Sequence, residues 1–221
     1  MYLSLFIIPL IIVIGAQALV KGAYNKYKMI ESKQGKTGFE VARKILDKNN
    51  LKDIHIVETK GLMSDHYDPK RKVIRLSSEV FHKNSIASIS IAAHECGHAI
   101  QHKNNYPFIK IRNILVPFVN FTSKIGYVIL FIGFFASLLD IAFIGLILLS
   151  TTLLFQLITL PVEFDASKRA KAILIKGQFI IKEEEIKVKS MLNAAAMTYV
   201  AALIANLLEI LRLFLMLTRN R

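Results

Sequence analysis

Residues 92–102 read A-A-H-E-C-G-H-A-I-Q-H. Within them lies an H-E-x-x-H motif, His94-Glu95-Cys96-Gly97-His98. On a helix of about 3.6 residues per turn, positions i and i+4 share a face. His94 and His98 then aim a ring nitrogen each at one metal ion, and Glu95 is placed to take a proton from water held there. The motif requires a helix, and the flanking residues supply one. Asn84 or Ser85 reads as its cap, and Ile86, Ile89 and Ala93 lead apolar residues into the motif and on toward His102. Gly97 costs such a helix about 1 kcal/mol relative to Ala, so a close packing neighbour or the metal has to offset it.

Outward from the motif, the composition is that of a membrane protein. The 221 residues are 53% hydrophobic and yet carry a net charge of +13. Long uncharged runs alternate with lysine-rich ones, as expected for spans joined by basic cytoplasmic loops. No helix-turn-helix, RNP-like motif or Cys/His finger accompanies the charge, so anionic lipid is the expected partner and nucleic acid is not. The single cysteine, Cys96, excludes an intrachain disulfide and reads as a small packing residue.

The expected fold is a mainly α membrane protein of about four transmembrane helices with a small α+β zincin-like catalytic part. Residues 1–20 form an uncleaved N-terminal anchor, because Lys21, Lys26 and Lys28 follow the apolar run rather than precede it. Residues 21–115 form the catalytic part. It opens on a Thr37–Glu40 capping box and a helix that stops at Asn49-Asn50. A strand near Ile54 and Ile56 follows, then a turn-rich stretch over 61–70, then a strand over 73–76 that is either an ordinary core strand or one whose edge an extended peptide can join. Residues 116–161 form a transmembrane hairpin turning near Ser137 to Asp140. A single long helix there would leave Asp140 in hydrocarbon. Residues 162–190 form a polar helical connector and 191–217 a last span, with Glu209 and Arg212 spaced to pair.

A catalytic zinc takes three protein ligands and keeps a position for water. The third ligand must share a membrane side with the His pair. Asp140 emerges on the other side and Glu209 lies within the last span. Glu163 and Asp165 return to the right side after two crossings and lead as carboxylates; His66 and His102 are weaker alternatives. Tyr199, His66 and His102 are candidates to stabilise a developing oxyanion. A rival reading is a noncatalytic membrane protein with a structural metal, suggested by Asp140, Asn193, Asn206 and Glu209 in apolar surroundings.

Beyond the motif, the blocks S-D-H-Y-D-P-K at 64–70, L-P-V-E-F-D-A-S-K-R-A at 160–170 and L-N-A-A-A-M-T-Y-V-A-A at 192–202 follow in order. With the motif they resemble the YugP-like family of bacterial membrane zinc metallopeptidases, over nearly the whole chain. The layout is also similar to that of HtpX and Ste24-type gluzincins. The resemblance implies a membrane-bound metallopeptidase with one catalytic zinc, Glu163 as third ligand and Glu95 as general base, acting on peptide or protein substrates, membrane proteins included. One position departs from that layout. Such proteases commonly carry Asp four residues after the ligand Glu; here Ser167 stands there and the nearby acid is Asp165.

Overall fold

The computed structural model describes residues 2–219. Its elements, in order, are α1 (Tyr2–Tyr27), α2 (Gly38–Lys48), β1 (His55–Thr59), β2 (His66–Asp68), β3 (Val73–Ser77), α3 (Ser78–His82), α4 (Ile86–Lys103), α5 (Pro107–Phe135), α6 (Leu139–Lys176) and α7 (Glu185–Arg219). They form two compact units. One holds the chain up to Gln17, Pro107–Pro161 and the chain from Met197; the other holds Ala18–Tyr106 and Val162–Ala196. Among the described residues, four helical stretches, Ser4–Tyr27, Pro107–Phe135, Leu139–Lys176 and Lys182–Arg219, are long and apolar enough to cross a membrane.

In the apolar unit, α5 and the N-terminal part of α6 run back to back. The turn runs through Ser137, which takes a positive φ of 62°. Asp140 sits in the first turn of α6, where a negative charge complements the helix dipole. The two helices touch backbone to backbone: a Cβ added at Gly145 would lie 2.4 Å from the Leu130 nitrogen. Polar groups of the unit pair with each other, as low dielectric demands. Thr122 and Thr151 share a 2.7 Å hydrogen bond, Asn206 donates to Thr152 at 2.8 Å, and Arg212 donates to Glu209 at 2.9 Å.

The second unit has a mixed helical and sheet core. Thr37 and Glu40 close a capping box at the start of α2, and Ser85 caps α4 by accepting from the Ser88 N–H at 3.1 Å. Val41, Ile45 and Leu46 of α2 pack with Ile74 and Leu76 of β3 and Ile86 and Ile89 of α4. The sheet order is β1-β3-β2, with β1 parallel and β2 antiparallel to β3. The strand over 73–76 is the core strand of the two alternatives: it is central, with a ladder on each side, so it has no edge open to a peptide. One expectation changes here. Residues 66–68, expected within a turn-rich stretch, are themselves an edge strand. The Asp68 carboxylate makes that strand possible. It accepts the Lys70 and Arg71 N–H groups at 3.0 and 3.1 Å and closes the turn into β3.

The helix carrying Glu163 also differs in extent. Proline lacks a backbone donor and usually ends or kinks a helix, yet α6 continues through Pro161 to Lys176. Glu163 therefore belongs to the same helix as the apolar run before it.

Candidate metal centre

The site forms where α4 meets the C-terminal part of α6. The contact is close because both helices carry small residues. A Cβ added at Gly97 would lie 2.7 Å from the Ala166 carbonyl oxygen, and Ala166 and Ala170 are fully buried. This is the neighbour that offsets the propensity cost of Gly97. Glu163 lies one turn before Ala166, and His94 and His98 flank Gly97.

This crossing brings three ligand atoms together. The Glu163 Oε2 lies 3.4 Å from the His94 Nε2 and 3.5 Å from the His98 Nε2. The three potential ligand atoms all lie within 4.8 Å of one another. Zinc bonds of roughly 2.0–2.2 Å in a tetrahedron require ligand atoms about 3.3 Å apart. The two His–Glu separations match that edge, and two imidazoles with one carboxylate suit zinc. Glu163 is only 1% exposed, and a cation at this spot would compensate the charge of its buried carboxylate.

The far sides of both imidazoles are held. Gln101 Oε1 lies 3.0 Å from His98 Nδ1, and Ser167 Oγ lies 3.2 Å from His94 Nδ1. With the proton on Nδ1, each ring turns an Nε2 lone pair toward Glu163. Gln101 is itself fixed: its amide donates to the Val162 carbonyl and to Asp165, both at 2.8 Å. Asp165 in turn pairs with Arg169 at 2.5 Å. Asp165 thus reaches the His pair only through Gln101, while Ser167 meets His94 directly. Gln101 is a site residue absent from the sequence candidates, although three residues after His98 it stands one turn along the same face.

Glu95 is buried beside this cluster. Burial pushes its carboxyl up to about 7, with help from the Glu163 and Asp65 charges. His94 and the Tyr67 N–H on β2 act in the opposite direction. A carboxyl near neutrality can both take and return a proton. His66 and His102 make contacts of their own. His66 is exposed, with its Nδ1 2.8 Å from the Ser64 carbonyl oxygen. His102 meets the Tyr67 hydroxyl at 3.4 Å. Tyr199 belongs to the other unit. Cys96 donates from its thiol to the Ala42 carbonyl on α2, in keeping with a packing role.

A family described as "Putative neutral zinc metallopeptidase" matches residues 2–218. The chain belongs to this family. A curated relative, the "Putative membrane protease YugP" of Bacillus subtilis (strain 168), is 44% identical over 206 residues, which cover 93% of this chain and 92% of that protein. No solved structure matches the chain. The protein is thus a zinc metallopeptidase of the membrane, with a His-His-Glu candidate site for a single ion among the described residues.

Proposed function

We propose that this metallopeptidase hydrolyses peptide bonds in membrane or membrane-adjacent proteins from the cytoplasmic side. His94, His98 and Glu163 would hold the zinc, and Glu95 would act as general base. The observation that carries the reading is the convergence of the three ligand atoms beside a buried carboxyl. Zinc in such a site supplies Lewis acidity, polarising a carbonyl oxygen and lowering the pKa of water to about 7. Glu95 takes the proton of the attacking water as its oxygen bonds to the carbonyl carbon. It then delivers that proton to the nitrogen as the C–N bond breaks, so an acid and an amine leave. Gln101 and Ser167 hold the imidazole rings throughout. The catalytic machinery comes from 21–115 and 162–190, with 1–20, 116–161 and 191–217 as the membrane parts.

The substrate class is supported by the position of Glu163, two residues past Pro161 on the helix of an apolar run. The orientation is supported by Lys21, Lys26 and Lys28 after the first run. Comparative proteomics of membranes from wild-type and Glu95→Gln cells tests the substrate class: membrane proteins should accumulate uncut in the variant. Accumulation of soluble proteins alone would refute it. Tag accessibility that put residues 21–112 outside the cell would refute the orientation.

A further inference from the structure

A cleft lies in the unit that holds the metal centre, where α2, α4 and α6 end. It holds about 420 Å³, with Ile45, Ile100 and Phe179 among its apolar lining. Lys48, Arg169 and Lys176 also line it, and among its described lining residues none is acidic. Helix C-termini each carry roughly −0.5 charge, which tells against an anion here. One of these ends is already answered, since Lys103 donates to the Asn49 carbonyl. With Arg169 paired to Asp165, Lys48 and Lys176 remain, two full charges against two helix ends of about half a charge each, with Lys48 also lying 5.5 Å over the Phe179 ring. Arg169 uses its Nε for Asp165 and lays its guanidinium over the Tyr106 ring at 5.9 Å. Among the described residues no acceptor meets its Nη groups. Those two forked donors suit a tetrahedral oxyanion.

We infer that this cavity binds a phosphate ester, its phosphate between Lys48, Arg169 and Lys176 and its organic part on the isoleucine and phenylalanine floor. The ester is either soluble or the headgroup of an anionic phospholipid. The cavity is wired to the metal centre by Arg169–Asp165–Gln101–His98, a continuous chain of polar contacts. A phosphate that engages Arg169 loosens its hold on Asp165. Asp165 then accepts more strongly from the Gln101 amide, and Gln101 accepts more strongly from His98. Occupancy should therefore raise zinc affinity. The coupling rests on His98 as a zinc ligand; the binding does not.

The test uses the full-length protein in neutral detergent and in nanodiscs. Calorimetric titrations of metal-free protein use inorganic phosphate and sn-glycerol 3-phosphate as soluble probes. The lipid arm compares zinc affinity in phosphatidylcholine nanodiscs with and without phosphatidylglycerol. Saturable binding at one site is expected, weakened at least about tenfold in Lys48→Gln/Lys176→Gln, which removes two of three charge-assisted contacts. Chelator competition should show zinc affinity rising roughly threefold with the bound ester, within what contiguous networks transmit, and not at all in Arg169→Gln. A response to glycerol phosphate alone assigns a soluble ligand, and a response to phosphatidylglycerol alone assigns a lipid. No saturable response to any probe, or one unaltered in the double variant, overturns the site. Binding with unchanged zinc affinity overturns the coupling. His98→Ala separates the two readings: it should keep ester binding while losing zinc, and retained zinc would count against the ligand assignment rather than the cavity.

Discussion

Replacing Gly97 by alanine tests whether the α4–α6 contact sets the metal geometry. Helix propensity alone favours alanine by about 1 kcal/mol. The added Cβ, however, would lie 2.7 Å from the Ala166 oxygen, whereas ordinary contacts start near 3.4 Å. The obstacle is helical backbone, which cannot swing aside as a flexible side chain can. The helices must part by about 0.7 Å, and overpacking of this kind costs roughly 1–3 kcal/mol. The balance is a destabilisation between about zero and 2 kcal/mol. The larger effect falls on the metal. Parting the helices stretches the His–Glu separations of 3.4 and 3.5 Å toward about 4 Å, beyond the tolerance of roughly 0.2 Å on ligand distances. Zinc affinity should fall by more than about tenfold, a loss on the scale of a disturbed ligand support. Thermal unfolding of metal-free Gly97→Ala, with chelator competition for zinc, reads both effects. A raised melting temperature with unchanged zinc affinity would show that the helices do not meet at Gly97 as described.

Other perturbations separate the roles within the site. Glu95→Gln should lower kcat by at least about a hundredfold, the low end for general-base loss, while one zinc per chain remains by metal analysis; undiminished proteolysis would remove Glu95 as base. Glu163→Ala should lose zinc under conditions where the wild type retains it, and full occupancy would exclude it as a ligand. Gln101→Ala and Ser167→Ala should each weaken zinc roughly 10–100-fold by freeing an imidazole, with smaller effects on unfolding of the metal-free protein. Glu95 must be ionised to act, so activity should rise with pH through its pKa. Its carboxyl stands near 7 without metal, and a cation on the adjacent imidazoles adds to the lowering pull of His94. The acidic limb of kcat/KM should thus fall at or below pH 7; a midpoint well above 7 would contradict this assignment of the limb.

The parts legible in the sequence were those written in local spacing. The Thr37–Glu40 box, the Ser85 cap and the i, i+4 histidines depend on residues within one or two turns of each other. Membrane crossings narrowed the carboxylates to Glu163 and Asp165; Glu163 lies against the histidines, and Asp165 meets Gln101 instead. What stayed hidden depends on contacts distant in the chain. The His66–Asp68 strand has no apolar alternation and exists through pairing with β3. The helix over Leu139–Lys176 keeps its course through Pro161, against the local preference of proline. The role of Gln101 follows from Val162 and Asp165, more than sixty residues away, which lock its amide toward His98. Ser167 occupies a position where the resembling proteases carry an acid, so the residue type pointed away from the contact with His94 that its location makes.

The packing of α6 against α4 has a mechanical consequence. Glu163 and the buried Ala166 and Ala170 are stations on one helix, which fixes the angle between the carboxylate and the packed face. Each residue turns the helix by about 100° and advances it about 1.5 Å. One residue inserted between Glu163 and Ala166 would thus swing the carboxylate about 100° away from the histidines while leaving every candidate ligand in place in the sequence. Four inserted residues would nearly restore the angle yet displace the carboxylate by about 6 Å along the axis. The candidate metal centre therefore reads the phase of the helix as well as the identity of its residues.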